Sequence, residues 1–307
     1  MSFDKLISRI IETGNPTVVG LDPKLAYVPD FLKKHYLDED GESLKAASRA
    51  LFRFNQGIID AICDIVPAIK PQAAYYEMYG HHGIKTLERT IRYAHLKGMY
   101  VITDGKRNDI GATMEAYASA HLGSCMVGEN ECIPFGSDAL TVNGYLGTDG
   151  IKPLLDVCEG TDKGIFVLVK TSNKSSGELQ DRLIDGTPVY AIMGDMCEEW
   201  GKDTIGKYGY SSVGAVVGAT YPEQLTELRK RLPHTFFLVP GYGAQGGGAA
   251  GLTGAFDENG IGAIVNSSRA VMCAYMNEGC DPRDFAAAAR REVLRMKEDI
   301  TSHIKIK

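Results

Sequence analysis

The sequence predicts an α/β fold, a (β/α)8 barrel formed as one domain over residues 1–307 with an extra helix at its N-terminus. Eight short apolar runs are each followed by a helical segment. The runs are continuously apolar rather than alternating, as parallel strands covered by helices require. Polar or charged residues recur where the runs end, and a barrel of this kind carries its chemistry on that face. A doubly wound open sheet is the rival arrangement. No Pro/Ser-rich linker or break in composition divides the 307 residues, which suffice for a sizeable core.

The elements follow in order. MSFDKLISRIIETG has an amphipathic helical pattern containing acids, unlike a secretion signal. Residues 16–22 form the first strand, ended by Asp22 and broken by Pro23, and a polar excursion runs to about residue 42. A helix over 43–66 precedes the very short second strand, 67–71, which carries Lys70 near its end. A helix at 83–97 leads into the third strand, 99–104, and Asp109 is placed to cap the helix that runs to about 122. A loop over 123–138 precedes the fourth strand, 139–143, and a helix at 148–158. The fifth strand, 164–170, enters a polar loop and a helix at 189–205, and the sixth, 212–218, leads to a helix at 221–232. The seventh, 235–240, is followed by a glycine-rich loop and a short segment at 251–258. The eighth, 262–266, precedes a closing helix at 282–303.

Composition narrows the function. The chain is 44% hydrophobic and 23% charged, ordinary for a globular protein, and its net charge of -6 argues against a nucleic-acid surface. No apolar run approaches the roughly 20 residues that span a bilayer, so no membrane partner is expected. Seven cysteines, odd in number and without a CxxC pair, read as reduced thiols of a cytoplasmic protein. The adjacent His81 and His82 point apart if helical, which weakens a metal site there.

Two stretches carry candidate chemistry. Asp104-Gly105-Lys106-Arg107-Asn108-Asp109 follows the apolar third strand, so three charged groups sit at a strand exit. On extended backbone Asp104 and Lys106 share a side. Charges are rarely buried unless paired or used. The second stretch, Pro240-Gly241-Tyr242-Gly243-Ala244-Gln245-Gly246-Gly247-Gly248, contains GxGxxG. It follows the seventh strand, and no acid ends the next, which disfavours a dinucleotide fingerprint. Glycines let backbone N–H groups approach an anion, and the loops after strands seven and eight are a common phosphate site. Asn266-Ser267-Ser268-Arg269 adds a guanidinium suited to phosphate. As residues alone, Asp22 also suits a turn, Asp109 an N-cap, and Ser172 a loop hydrogen bond.

Together these strand ends resemble the orotidine 5′-phosphate decarboxylase family. DGKRND fits its D-x-K-x-x-D motif; VGLD ending at Asp22, AIKPQ around Lys70, Thr171-Ser172-Asn173, the Gln245 segment and Arg269 fit its other strand ends in order. KPQAAYYE and the chain length resemble the longer bacterial subgroup, which lacks a fused phosphoribosyltransferase. The resemblance implies cofactor-free and metal-free decarboxylation of orotidine 5′-monophosphate to UMP, with Lys106 as proton donor in a Lys70–Asp104–Lys106–Asp109 array. It implies that Asp22 and Lys70 hold ribose hydroxyls, Ser172 reads the pyrimidine edge, and Gln245 bridges base and phosphate. Gly243, Tyr242 and Arg269 fall at the phosphate. It further implies a homodimer in which Asp109, Ile110 and Thr113 complete the partner's site. The loop over 173–187 is longer and more polar than in a minimal member, which leaves its contacts open. A metal-dependent phosphosugar synthase or decarboxylase carries a carboxylate at the second strand end; here Lys70 stands there. A non-catalytic phosphate-binding barrel is the remaining alternative.

Overall fold

The computed structural model describes residues 3–243 and 248–307. Eight parallel strands close into a barrel: β1 (Thr17–Leu21), β2 (Ala68–Pro71), β3 (Tyr100–Arg107), β4 (Ala139–Val142), β5 (Gly164–Lys170), β6 (Val213–Val217), β7 (Phe237–Pro240) and β8 (Ala263–Ser267). Each pairs with its sequence neighbours, and β8 returns to β1 through Thr17↔Val265 and Val18↔Asn266. The open-sheet alternative is excluded by that closure. β1, β2, β4 and β6 are buried along their whole length, which explains their unbroken apolar runs.

The N-terminal helix, Asp4–Thr13, seals the end of the barrel opposite the strand exits. Phe3, Leu6, Ile7 and Ile10 pack with the inward side chains Val18, Tyr100, Ile102, Phe166 and Phe236. The Phe3 and Phe166 rings stack with centroids 4.6 Å apart. Gly164 admits this plug, because a Cβ there would lie 2.8 Å from the Phe3 ring. Two further apolar clusters bind the helices to the outside of the barrel.

Local differences have local causes. The polar excursion holds a helix, Asp30–Asp40, which buries only Leu32 and therefore lacks a readable apolar stripe. The loop before β4 contains a hairpin, Cys125–Val127 with Asn130–Cys132, exposed on both strands. The loop after β5 holds a second hairpin, Leu183–Ile184 with Thr187–Pro188. That loop is tied back by Gln180, which donates to Thr171 Oγ1 (2.7 Å), and by Asp181, which accepts from the buried Lys170 at 2.5 Å. His81 and His82 do not point apart: their rings lie 3.9 Å apart at the start of the helix Gly80–Leu96. No helix among the described residues is long and apolar enough to cross a membrane.

Candidate functional site

The exit of β3 is built around a bulge. β3 pairs with β4 at Ile102↔Ala139 and Thr103↔Leu140, and the pairing resumes only at Arg107↔Val142. Asp104, Gly105 and Lys106 therefore stand opposite the single residue Thr141. Lys106 has φ of 47°, a left-handed conformation that costs a residue with a Cβ about 1–2 kcal/mol. The extended geometry expected for Asp104 and Lys106 is thus replaced by a turn. Their side chains still meet, because the turn folds Lys106 back: its Nζ donates to Asp104 Oδ1 at 2.6 Å. Lys70 Nζ donates to Asp104 Oδ2, also at 2.6 Å, and Thr141 Oγ1 donates to Oδ1 at 2.8 Å.

Position decides the electrostatics. Lys70 and Asp104 are 4% and 7% exposed, whereas the Lys106 side chain is 46% exposed at the mouth. Burial disfavours charge on Asp104, but the Lys70 and Lys106 ammoniums outweigh it and hold the carboxyl well below its usual range. Burial likewise works against the Lys70 ammonium. The charges of Asp104 and Asp22 reverse this and raise its pKa. The result is a water-poor acid flanked by two cations, one enclosed and one free to reach a ligand.

Asp109 does not join this array within the chain, and it does not cap the helix as expected. The helix runs Gly111–His121 with Ile110 at its N-cap position and no side-chain cap. The Asp109 carboxylate accepts from the Ile110 N–H at 2.9 Å. Ile110 is 49% exposed, and Thr113 is exposed as well.

Beside the array lies a cavity of about 860 Å³, whose lining includes Asp22, Lys24, Tyr75, Tyr242, Asn266 and Arg269. Two residues of that lining, Asp22 and Asn266, each keep a buried Oδ1 without a hydrogen-bond partner. Gly20 permits close packing at the β1–β8 junction, because a Cβ there would lie 1.9 Å from Ser268 Oγ. Gly241 takes φ of 102°, a conformation favouring glycine, where the chain leaves β7. Arg269 is exposed, and its guanidinium pairs with no carboxylate among the described residues. Ser172 packs against the exits of β6 and β7, near Gly218 and Gly241. Tyr242 lines the cavity, its hydroxyl donates to Asp299 Oδ2 at 2.5 Å, and burial with that carboxylate pushes its pKa up to about 12. Gln245 lies outside the described residues. Among them, no group of three or more His, Cys, Asp or Glu is arranged to hold a metal ion.

Three residues escaped the reading of the sequence. Thr141 interrupts an apolar strand, a signal too weak to single it out. Lys24 lines the cavity with its Nζ 5.8 Å from the rings of Tyr27 and Tyr75, but it sits in a turn after Pro23. Asn266 stands one residue before the end of β8 with its unsatisfied Oδ1, and only tertiary burial gives that meaning.

Comparisons with known proteins show the family and the fold. A family model described as orotidine 5′-phosphate decarboxylase / HUMPS matches residues 43–278. An orotidine 5′-phosphate decarboxylase of Rhodopirellula baltica is 46% identical over 96% of this chain and 97% of its own. The crystal structure of a Toxoplasma gondii protein superposes with a TM-score of 0.78, at 30% identity over 98% of each chain. Leishmania donovani OMP decarboxylase superposes with a TM-score of 0.69, at 29% identity over 97% of this chain and 99% of its own.

Proposed function

Since the chain belongs to the orotidine 5′-phosphate decarboxylase / HUMPS family, we propose that it decarboxylates orotidine 5′-monophosphate to UMP and CO2, the last step of de novo pyrimidine biosynthesis. The observation that carries the reading is the Lys70–Asp104–Lys106 chain of charges at the strand exits, with both bonds at 2.6 Å. Loss of CO2 from C6 leaves a vinylic carbanion with no π-system to spread it. Stabilisation must come from charge already in place in a poorly solvated pocket. The Lys106 ammonium, exposed at the mouth, stabilises the developing anion and then donates its proton to C6. Asp104 keeps that ammonium charged and aimed, and its own charge crowds the substrate carboxylate until CO2 departs. Lys70 balances Asp104.

Asp22 and Lys70 bind ribose hydroxyls, Ser172 binds the pyrimidine edge, Gln245 bridges base and phosphate, and Gly243, Tyr242 and Arg269 lie at the phosphate. Binding of the remote phosphate supplies energy for organising the reacting end. Asp109, Ile110 and Thr113 serve the site of a second subunit: Ile110 and Thr113 are exposed, and the half-buried Asp109 hydrogen-bonds the Ile110 N–H rather than the array of its own chain. The protein acts in the cytoplasm as a homodimer. Lys70 at the exit of β2 repels a divalent cation and argues against a metal-dependent phosphosugar reaction.

The test is turnover of orotidine 5′-monophosphate by the purified protein with chelator present, followed by ultraviolet absorbance. Full turnover is expected. No turnover, or turnover abolished by chelator, overturns the reading. Mixed dimers of Asp109→Ala and Lys106→Ala protomers regain activity if sites are shared, and confirmed mixed dimers without activity refute the sharing.

A further inference from the structure

We propose that Thr141 is a positioning residue that holds Lys106 in its left-handed turn. The inference rests on the decarboxylase reading for its kinetic consequence, but its geometry stands independently. The bulge leaves three residues of β3 facing Thr141 alone, and its hydroxyl makes two bonds across that gap. The Lys106 N–H donates to Thr141 Oγ1 at 3.0 Å, and the hydroxyl proton goes to Asp104 Oδ1 at 2.8 Å. One side chain thus ties the backbone of the proton donor to the carboxylate that aims its ammonium.

The bond directions are set by chemistry. The carboxylate of Asp104 is ionised and can only accept, so the Thr141 proton points to it. The lone pairs of Thr141 are then left for the Lys106 N–H. Thr141 is 1% exposed, so no water replaces either bond when the hydroxyl is removed. Lys106 occupies its turn at a conformational cost and carries its ammonium at the end of a flexible stem. Without the strap the turn relaxes, and Nζ leaves the place where its charge and proton are needed. Misplacement of a reacting group by about 1 Å costs on the order of 100-fold in rate.

Thr141→Val keeps the shape and removes both bonds, and Thr141→Ser keeps the hydroxyl. Thr141→Val is expected to lower kcat by on the order of 30- to 100-fold with KM for orotidine 5′-monophosphate and the affinity for UMP near wild type. Thr141→Ser is expected to recover most of kcat. A purely structural role would instead lower the melting temperature and leave kcat per folded site unchanged. Thr141→Val within twofold of wild-type kcat overturns the inference. So does a folded Thr141→Ser as impaired as Thr141→Val. Should Thr141→Val fail to fold, Thr141→Cys, which offers only weak hydrogen bonds, carries the same expectation. Amide hydrogen exchange at Lys106 gives a readout that needs no activity: protection is lost in Thr141→Val and kept in Thr141→Ser. Unchanged protection refutes the strap even if the wild type proves inactive, an outcome that would defeat the decarboxylase reading separately.

A different observation supports a second proposal, at the opposite end of the barrel. In the exposed hairpin before β4, Cys125 is the cross-strand partner of Cys132, and both are free thiols. Directly opposed residues of an antiparallel pair share a face with Cα atoms about 4.5 or 5.5 Å apart, and either value lies within the range a disulfide spans. We infer that the pair is a reversible modification site for small-molecule disulfides. One cysteine thiolate attacks the disulfide and expels a thiolate; the second attacks the mixed disulfide and expels the other. The Cys125–Cys132 bond is formed, and the reagent is reduced to two thiols. With oxidised glutathione, peptide mapping is expected to show this intramolecular bond, reversed by dithiothreitol. In Cys132→Ser, Cys125 is expected to stop at the glutathione adduct. Absence of the bond in the wild type, or Cys125 paired to any other cysteine, overturns the proposal.

Discussion

At the β3 end of the site each charge has a partner in the chain, whereas at the β7–β8 end the charges stand open. Asp104 is enclosed by Lys70, Lys106 and Thr141 at 2.6–2.8 Å, and the carboxylate is ionised through its neighbours. Arg269 is exposed with no carboxylate partner, beside buried acceptors on Asp22 and Asn266 that find no donor. The difference separates two tasks. Charges that must act on a reacting carbon are held before substrate arrives, because reorganising them during reaction would raise the barrier. Charges that capture a phosphate gain most if the phosphate is the first partner they meet.

Substitutions at the two ends should therefore fail in different ways. The largest effect is expected for Lys106→Ala: kcat falls by on the order of 10⁴-fold, while UMP still binds. Steady-state kinetics with calorimetric titration of UMP checks both halves, and a near-normal kcat breaks the assignment of this end as the reacting one. At the open end, Arg269→Ala should lower kcat/KM by about 100-fold, mostly through KM, which corresponds to about 2.7 kcal/mol. Its thermal stability should stay within about 0.5 kcal/mol of wild type, because no intrachain pair is broken. A matched loss of stability in a melting experiment would show that Arg269 is structural.

The most diagnostic effect is the dependence of stability on pH at the closed end. Asp104→Asn should cost about 3 kcal/mol at neutral pH by leaving the buried Lys70 ammonium underpaired. Asp104 has its pKa lowered on folding, so its contribution is present above the ordinary carboxylate value of 3.8 and is lost as pH falls through its depressed folded value. Lys70 has its pKa raised, so its contribution is complete below 10.5 and is lost only as pH rises through its elevated folded value. The difference in melting temperature between wild type and Asp104→Asn should stay flat from about pH 5 to about pH 8 and narrow below about pH 4. A difference that already shrinks near neutral pH would show that the array is not held charged.

The eight strands and most of their helices were legible in the chain because parallel barrel strands are buried on both faces and so read as unbroken apolar runs. Val213–Val217 and Gly164–Lys170 lie within or coincide with the expected ranges. Elements that bury little were not legible: the helix Asp30–Asp40 encloses one leucine, and the hairpin at Cys125–Cys132 none of its residues. Lys70, Asp104, Lys106, Asp22, Ser172 and Arg269 could be named from the sequence because each stands at or just past the end of an apolar run.

How those residues act on one another was decided by the tertiary structure. Nothing in DGKRND shows that Lys106 turns left-handed, that the Asp109 carboxylate binds the Ile110 N–H, or that a threonine 37 residues beyond Asp104 closes the bulge. Likewise the Tyr242 hydroxyl is taken by Asp299, 57 residues away. Apolar periodicity is a local signal and survives in the one-dimensional chain. The partner of a buried hydrogen bond is set by which strand lies alongside, and only closure of the barrel determines that.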